Sequence, residues 1–88
     1  MGFVMMIIDV LPVSPEIDLE KIKAGIIEQL AGIADIKRMD INPVAYGLMK
    51  VNIAIIMKDA AGGSDLVEEK LKAIKDVSSV ETIDTSLI

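Results

Sequence analysis

The sequence predicts an α+β fold, a four-stranded antiparallel sheet with two helices on one face. Three observations carry the prediction. Apolar residues change from a period of two to a period of three or four and back, in the order β-α-β-β-α-β. Helix-start signals precede both helical stretches, Asp18 the first and Ser64 the second, and Gly32 marks the end of the first. The two most apolar strands, the first and the third, are those that such a topology buries at the centre. Two right-handed β-α-β crossovers in one sheet give strand order 4-1-3-2, the ferredoxin-like β-α-β-β-α-β sandwich. Residues 1–88 are expected to form one domain.

The first strand is Phe3–Leu11. Alternation puts Val4, Met6, Ile8 and Val10 on one face, and Phe3, Met5, Ile7 and Asp9 on the other. The uncharged face is expected to meet the core. Pro12, Ser14 and Pro15 mark a turn. A helix then begins at Asp18, an N-cap residue, with Ile17 placed to staple to Ile22. Leu19, Ile22, Ile26 and Leu30 make its apolar stripe. Gly32 stands where a left-handed C-terminal residue is expected. Gly25, inside the helix, costs about 1 kcal/mol against alanine and suggests close approach to the sheet.

Ile36–Ile41 reads as a second strand, interrupted by Lys37, Arg38 and Asp40, and such charge suits a sheet edge. Asn42-Pro43 is expected to break the pairing. In the third strand, Leu48–Lys58, Met49, Val51, Ile53, Ile55 and Met57 share one face. Lys50, Asn52, Ala54, Ile56 and Lys58 share the other. Asp59 to Gly63 reads as a loop, with Ser64 as the cap of a second helix. That helix carries the stripe Val67, Leu71 and Ile74. Val80–Leu87 is the last strand.

Composition narrows the function. Of 88 residues, 14 are acidic and 9 basic, giving a net charge of −5. Histidine and cysteine are absent, which removes the usual general base, the commonest metal ligand and any thiol chemistry. An acidic chain with one arginine and two aromatics, Phe3 and Tyr46, does not suit nucleic acid. The apolar run Met1–Val10 is too short for a membrane span and lacks the flanks of a secretory signal, so a cytoplasmic chain is expected. No catalytic residue, metal site or cofactor is expected. The glycine pair after Asp59 lacks the spacing and the lysine of a phosphate loop.

With both helices on one face, the other face stays open, presenting Phe3, Met5 and Ile7 with Ala54 and Ile56. An uncovered apolar patch marks an interaction site. A partner, a second copy of the chain, or a patch too small to matter all remain open. Between the second and third strands lies Pro43-Val44-Ala45-Tyr46-Gly47-Leu48, which holds one of the two aromatics. Gly47 points to special backbone geometry or close approach. Tyrosine suits an interface hot spot, but it equally suits a cap on the core.

At this segment the chain resembles the archaeal elongation factor 1-beta family, counterpart of the C-terminal nucleotide-exchange domain of eukaryotic elongation factor 1-beta. The matching pieces are Ile8-Asp9-Val10-Leu11-Pro12-Val13-Ser14-Pro15-Glu16, Asn42-Pro43-Val44-Ala45-Tyr46-Gly47-Leu48, Asp59-Ala60-Ala61-Gly62-Gly63, and Val77-Ser78-Ser79-Val80-Glu81-Thr82-Ile83-Asp84. They span nearly the whole chain. The resemblance implies the same fold and a guanine nucleotide exchange factor that promotes replacement of GDP by GTP on translation elongation factor 1-alpha. It implies no bond chemistry, and composition and the short apolar run leave no direct contact with nucleic acid or membrane expected. Pro43, Ala45, Tyr46, Gly47 and Leu48 become partner-binding candidates, with Phe3, Met5 and Lys50 from the open face and Leu87 and Ile88 from the tail. Eukaryotic members carry a lysine beside the C-terminal residue. Here no base follows Lys75, so that lysine mechanism does not transfer. A regulatory small-molecule-binding module of the same fold, acting as a dimer, is the alternative.

Overall fold

The computed structural model describes residues 2–58 and 63–88. Its elements are β1 (Phe3–Pro12), α1 (Leu19–Leu30), β2 (Asp35–Pro43), β3 (Met49–Lys58), α2 (Gly63–Lys72) and β4 (Val77–Leu87). The sheet order is β2-β3-β1-β4, the expected 4-1-3-2 read from the other edge. All neighbours are antiparallel.

Alternation along β1 and β3 divides the sheet into two faces, as the sequence predicts. On the covered face Met6, Ile8, Val10, Val51, Ile53 and Ile55 are fully buried. Ile22, Ile26 and Leu30 of α1 and Val67 and Leu71 of α2 lie over them, with Ile74 just past α2. Each such side chain, taken from water, contributes about 1.5–3 kcal/mol. Met6 and Met57 also belong to this core, the gap-filling role that an unbranched thioether suits.

The helix signals act where expected. The Asp18 carboxylate accepts the Glu20 amide at 3.0 Å, which satisfies one of the free donors at the start of α1. At its end Gly32 takes φ +78°, and the Ile33 and Ala34 amides both donate to the Leu30 carbonyl. No helix among the described residues is long and apolar enough to cross a membrane.

Three boundaries depart from the sequence reading. Asn42-Pro43 does not break β2: Asn42 pairs with Lys50 and Pro43 with Met49. Proline is tolerated there because β2 is an edge strand, where a missing N–H need not cost a ladder bond. Strand β4 begins at Val77, three residues before the expected Val80, and pairs with Pro12 and Leu11. Ser78 and Ser79 dilute the strand pattern, but an existing β1 edge recruits them. Helix α2 begins at Gly63, so Ser64 lies one position inside it. The expected loop at Asp59 to Gly62 lies outside the described residues. Farther along β4, Ile7 pairs with Asp84 and Ile8 with Thr82, leaving Ile83 as an exposed bulge. A bulge on an edge discourages pairing with another chain.

Gly25 has a different neighbour from the expected sheet. A Cβ there would meet Ile74 Cγ2 at 2.9 Å. The glycine lets α1 and the end of α2 close over the core. Gly25→Ala gains about 1 kcal/mol of helix propensity but overpacks by about 1–3 kcal/mol. The variant is expected to lose stability by roughly 1 kcal/mol in urea unfolding; a gain would show that Ile74 moves aside freely.

Candidate functional site

The uncovered face of the sheet has two halves. The half around the start of β1 is apolar: Met5, Ile7 and Ile56 are half-buried, Phe3 is exposed, and Ala54 is buried. The half beyond Ile7 is polar. Across it runs one row of residues in register, Asp40 on β2, Asn52 on β3, Asp9 on β1 and Glu81 on β4. Asp9 is the one charged residue buried among those described, at 4% exposure.

A buried carboxylate is costly unless it is paired and hydrogen-bonded. Asp9 meets both conditions. Its Oδ2 lies 2.6 Å from Lys50 Nζ, and its Oδ1 accepts Asn52 Nδ2 at 2.7 Å. Asn52 Oδ1 in turn accepts Arg38 Nη2 at 3.2 Å, and Arg38 Nε pairs with Asp40 at 2.9 Å. The network therefore ties β1, β2 and β3 together. Sequence reasoning used Asp9 only to tell the two faces apart and missed the network. The alternation puts Lys50, Asn52 and Asp9 on one face, but only the register brings them together.

The segment between β2 and β3 is a hairpin loop. The Val44 amide donates to the Leu48 carbonyl at 2.8 Å, and the Leu48 amide to the Ala45 carbonyl at 2.9 Å. Tyr46 has φ +53° and Gly47 φ +79°. Two successive positive φ values are those of a type I′ hairpin turn, which prefers Asn-Gly. Glycine takes this geometry freely, whereas tyrosine pays about 1–2 kcal/mol for it. The Tyr46 side chain is fully exposed, at 101%. It caps no part of the core, which excludes one of the two roles that the residues alone left open. Strained backbone clusters at functional sites.

The candidate residues fall into two groups. Pro43, Ala45, Tyr46, Gly47 and Leu48 form the hairpin end, with Lys50 at its root. Phe3, Met5, Leu87 and Ile88 form the other end: Ser86 pairs with Met5, Leu87 with Val4, and the Ile88 amide donates to the Phe3 carbonyl at 2.9 Å. Leu87 and Ile88 are 73% and 63% exposed. The seven steps from Phe3 to Val10 alone separate the groups by about 23 Å. Phe3 and Tyr46 thus belong to opposite ends of the sheet rather than to one aromatic pair. The Lys50 ammonium, expected on the open face, is there but already engaged by Asp9. Among the described residues no group of three acidic side chains could hold a metal ion.

A family model described as "EF-1 guanine nucleotide exchange domain" matches residues 5–88. Elongation factor 1-beta of Methanoregula boonei is 41% identical, with 99% of each chain covered. That of Methanococcus aeolicus is 39% identical over the whole of both chains. That of Methanothermobacter thermautotrophicus is 38% identical, covering 96% of this chain and 94% of its own. Among solved structures, the C-terminal domain of the MgtC protein from Mycobacterium tuberculosis is similar in fold. Its TM-score is 0.64 at 9% identity, over 99% of this chain and 88% of that one.

The turn geometry gives a test of its own. Tyr46→Asn relieves the left-handed strain and removes no buried area, so the domain is expected to gain roughly 1 kcal/mol. Thermal melting reads this directly. A melting temperature several degrees lower would mean that Tyr46 stabilises the fold after all.

Proposed function

The chain belongs to the EF-1 guanine nucleotide exchange domain family, and we infer that residues 1–88 act as one exchange unit that speeds replacement of GDP by GTP on translation elongation factor 1-alpha. The observation that carries this reading to particular residues is Tyr46, held in a strained turn with its whole side chain in solvent. A side chain that contributes no burial to its own fold is free to contribute it to another protein.

The physics of exchange fits such a surface. A factor accelerates nucleotide release by binding the nucleotide-free partner better than the GDP-bound one. The partner owns the nucleotide and its chemistry, so the factor makes and breaks no covalent bond and needs no cofactor. It engages the GDP-bound or nucleotide-free partner, without direct contact to nucleic acid or membrane, in the cytoplasm where translation runs.

The partner surface runs from the hairpin to the other end of the sheet. Tyr46 is its main anchor, flanked by Pro43, Ala45, Gly47 and Leu48. Phe3, Met5, Leu87 and Ile88 form a second, apolar contact, and Lys50, its ammonium held by Asp9, stands at the root of the hairpin. Both contacts on one partner place that partner along the length of the sheet. Leu87 and Ile88 are apolar and exposed, so they offer the partner a packing contact.

Release of labelled GDP from elongation factor 1-alpha tests the reading. Added chain is expected to raise the release rate at least tenfold, a barrier change of about 1.4 kcal/mol. The pair Tyr46→Ala with Phe3→Ala is expected to abolish most of that gain in a still-folded domain. Full activity in the pair would remove the interface assignment. No acceleration by the unaltered chain would remove the function.

A further inference from the structure

The β1–β3 ladder ends at the pair Val10–Val51. The β2–β3 ladder continues past it, through Asn42–Lys50 and Pro43–Met49. The last residues of β2 and β3 therefore leave the sheet as a two-stranded ribbon with Tyr46 at its tip. A two-stranded hairpin has little stability of its own. How the tip is aimed depends on what fixes the ribbon at its root.

Lys50 is the first β3 residue on the ribbon side of Val51, and its ammonium reaches back to Asp9 on the central strand. The other ion pairs among the described residues join Lys23 to Glu20 within α1 and Arg38 to Asp40 within β2, so this one alone ties the ribbon to β1. Asp9 is itself held: Asn52 occupies its second oxygen, and the residue is almost wholly buried. Met5 and Ile7, on the same face of the same strand, show that apolar side chains fit there. Replacing a buried ion pair by apolar groups is often neutral or stabilising. Stability alone gives little reason for a carboxylate at position 9.

We propose that Asp9 is a positioning residue for exchange: by holding Lys50 it fixes the direction in which the hairpin presents Tyr46. The proposal rests on the reading of Tyr46 as a partner contact and adds a residue too buried to touch the partner.

Two variants of the full chain, Asp9→Asn and Lys50→Met, test it. Asparagine keeps the size of the side chain and a hydrogen bond to Asn52 but removes the ion pair. Amide hydrogen exchange compares Val44 and Leu48, whose amides close the hairpin, with Ile53 and Ile55 in the core. In both variants the hairpin amides are expected to exchange about tenfold faster relative to the core amides. Equal acceleration of both sets would mean a stabilising role only and would overturn the proposal, as would unchanged hairpin amides. In GDP release Asp9→Asn is expected to raise KM for the partner about fivefold with kcat within twofold, the signature of lost binding. An unchanged KM would overturn the link to exchange. If the unaltered chain releases no GDP, the exchange reading fails by itself, and the amide comparison still decides whether Asp9 holds the hairpin.

Discussion

Strand β1 hydrogen-bonds along both of its edges, and that double pairing is the constraint on which the other elements depend. A strand fixed on both sides cannot rotate, so its alternate residues face opposite environments for its whole length. Val4, Met6, Ile8 and Val10 must find a cover, and the two helices supply it. The other face is left without one. A shift of one residue in register would carry Asp9 into the helix-covered core, where an unpaired charge costs several kcal/mol. Asp9 therefore works with the apolar alternation to hold the register.

The same constraint leaves some residues outside the core's work. The apolar stripes of α1 and α2 are spent on the covered face. The hairpin tip, the exposed ends of β1 and β4, and the polar row across the sheet lie elsewhere. Tyr46 makes the separation plainest, because it adds strain and no burial to the domain that carries it. An exchange factor tolerates this division well. Its task is to favour one state of a partner, and differential contact achieves that without any reacting group.

Much of the fold was legible in the sequence because each element had its own local signal. Asp18 and Gly32 bracketed α1, and alternation separated the faces of β1 and β3. What failed depended on neighbours. Pro43 reads as a break, but an edge strand absorbs it. Ser78 and Ser79 read as loop, but β1 draws them into pairing. Gly25 was legible as a close approach, though its neighbour Ile74 lies nearly fifty residues along the chain. The candidate site was legible in its parts: Tyr46, Gly47 and Lys50 stand out by residue type and face. Their contacts were not: the predicted antiparallel order already sets Phe3 and Tyr46 at opposite ends, but only the register reveals that Asp9 engages Lys50.

The chain is expected to meet its partner with the hairpin and the uncovered face, not with the helices. Backbone amide shifts of the labelled chain, followed as nucleotide-free elongation factor 1-alpha is added, test it most directly. The largest changes are expected at residues 44–48, near Lys50, and at Phe3, Leu87 and Ile88, with the outer faces of α1 and α2 unchanged. Changes concentrated on the two helices, with the hairpin silent, would contradict it.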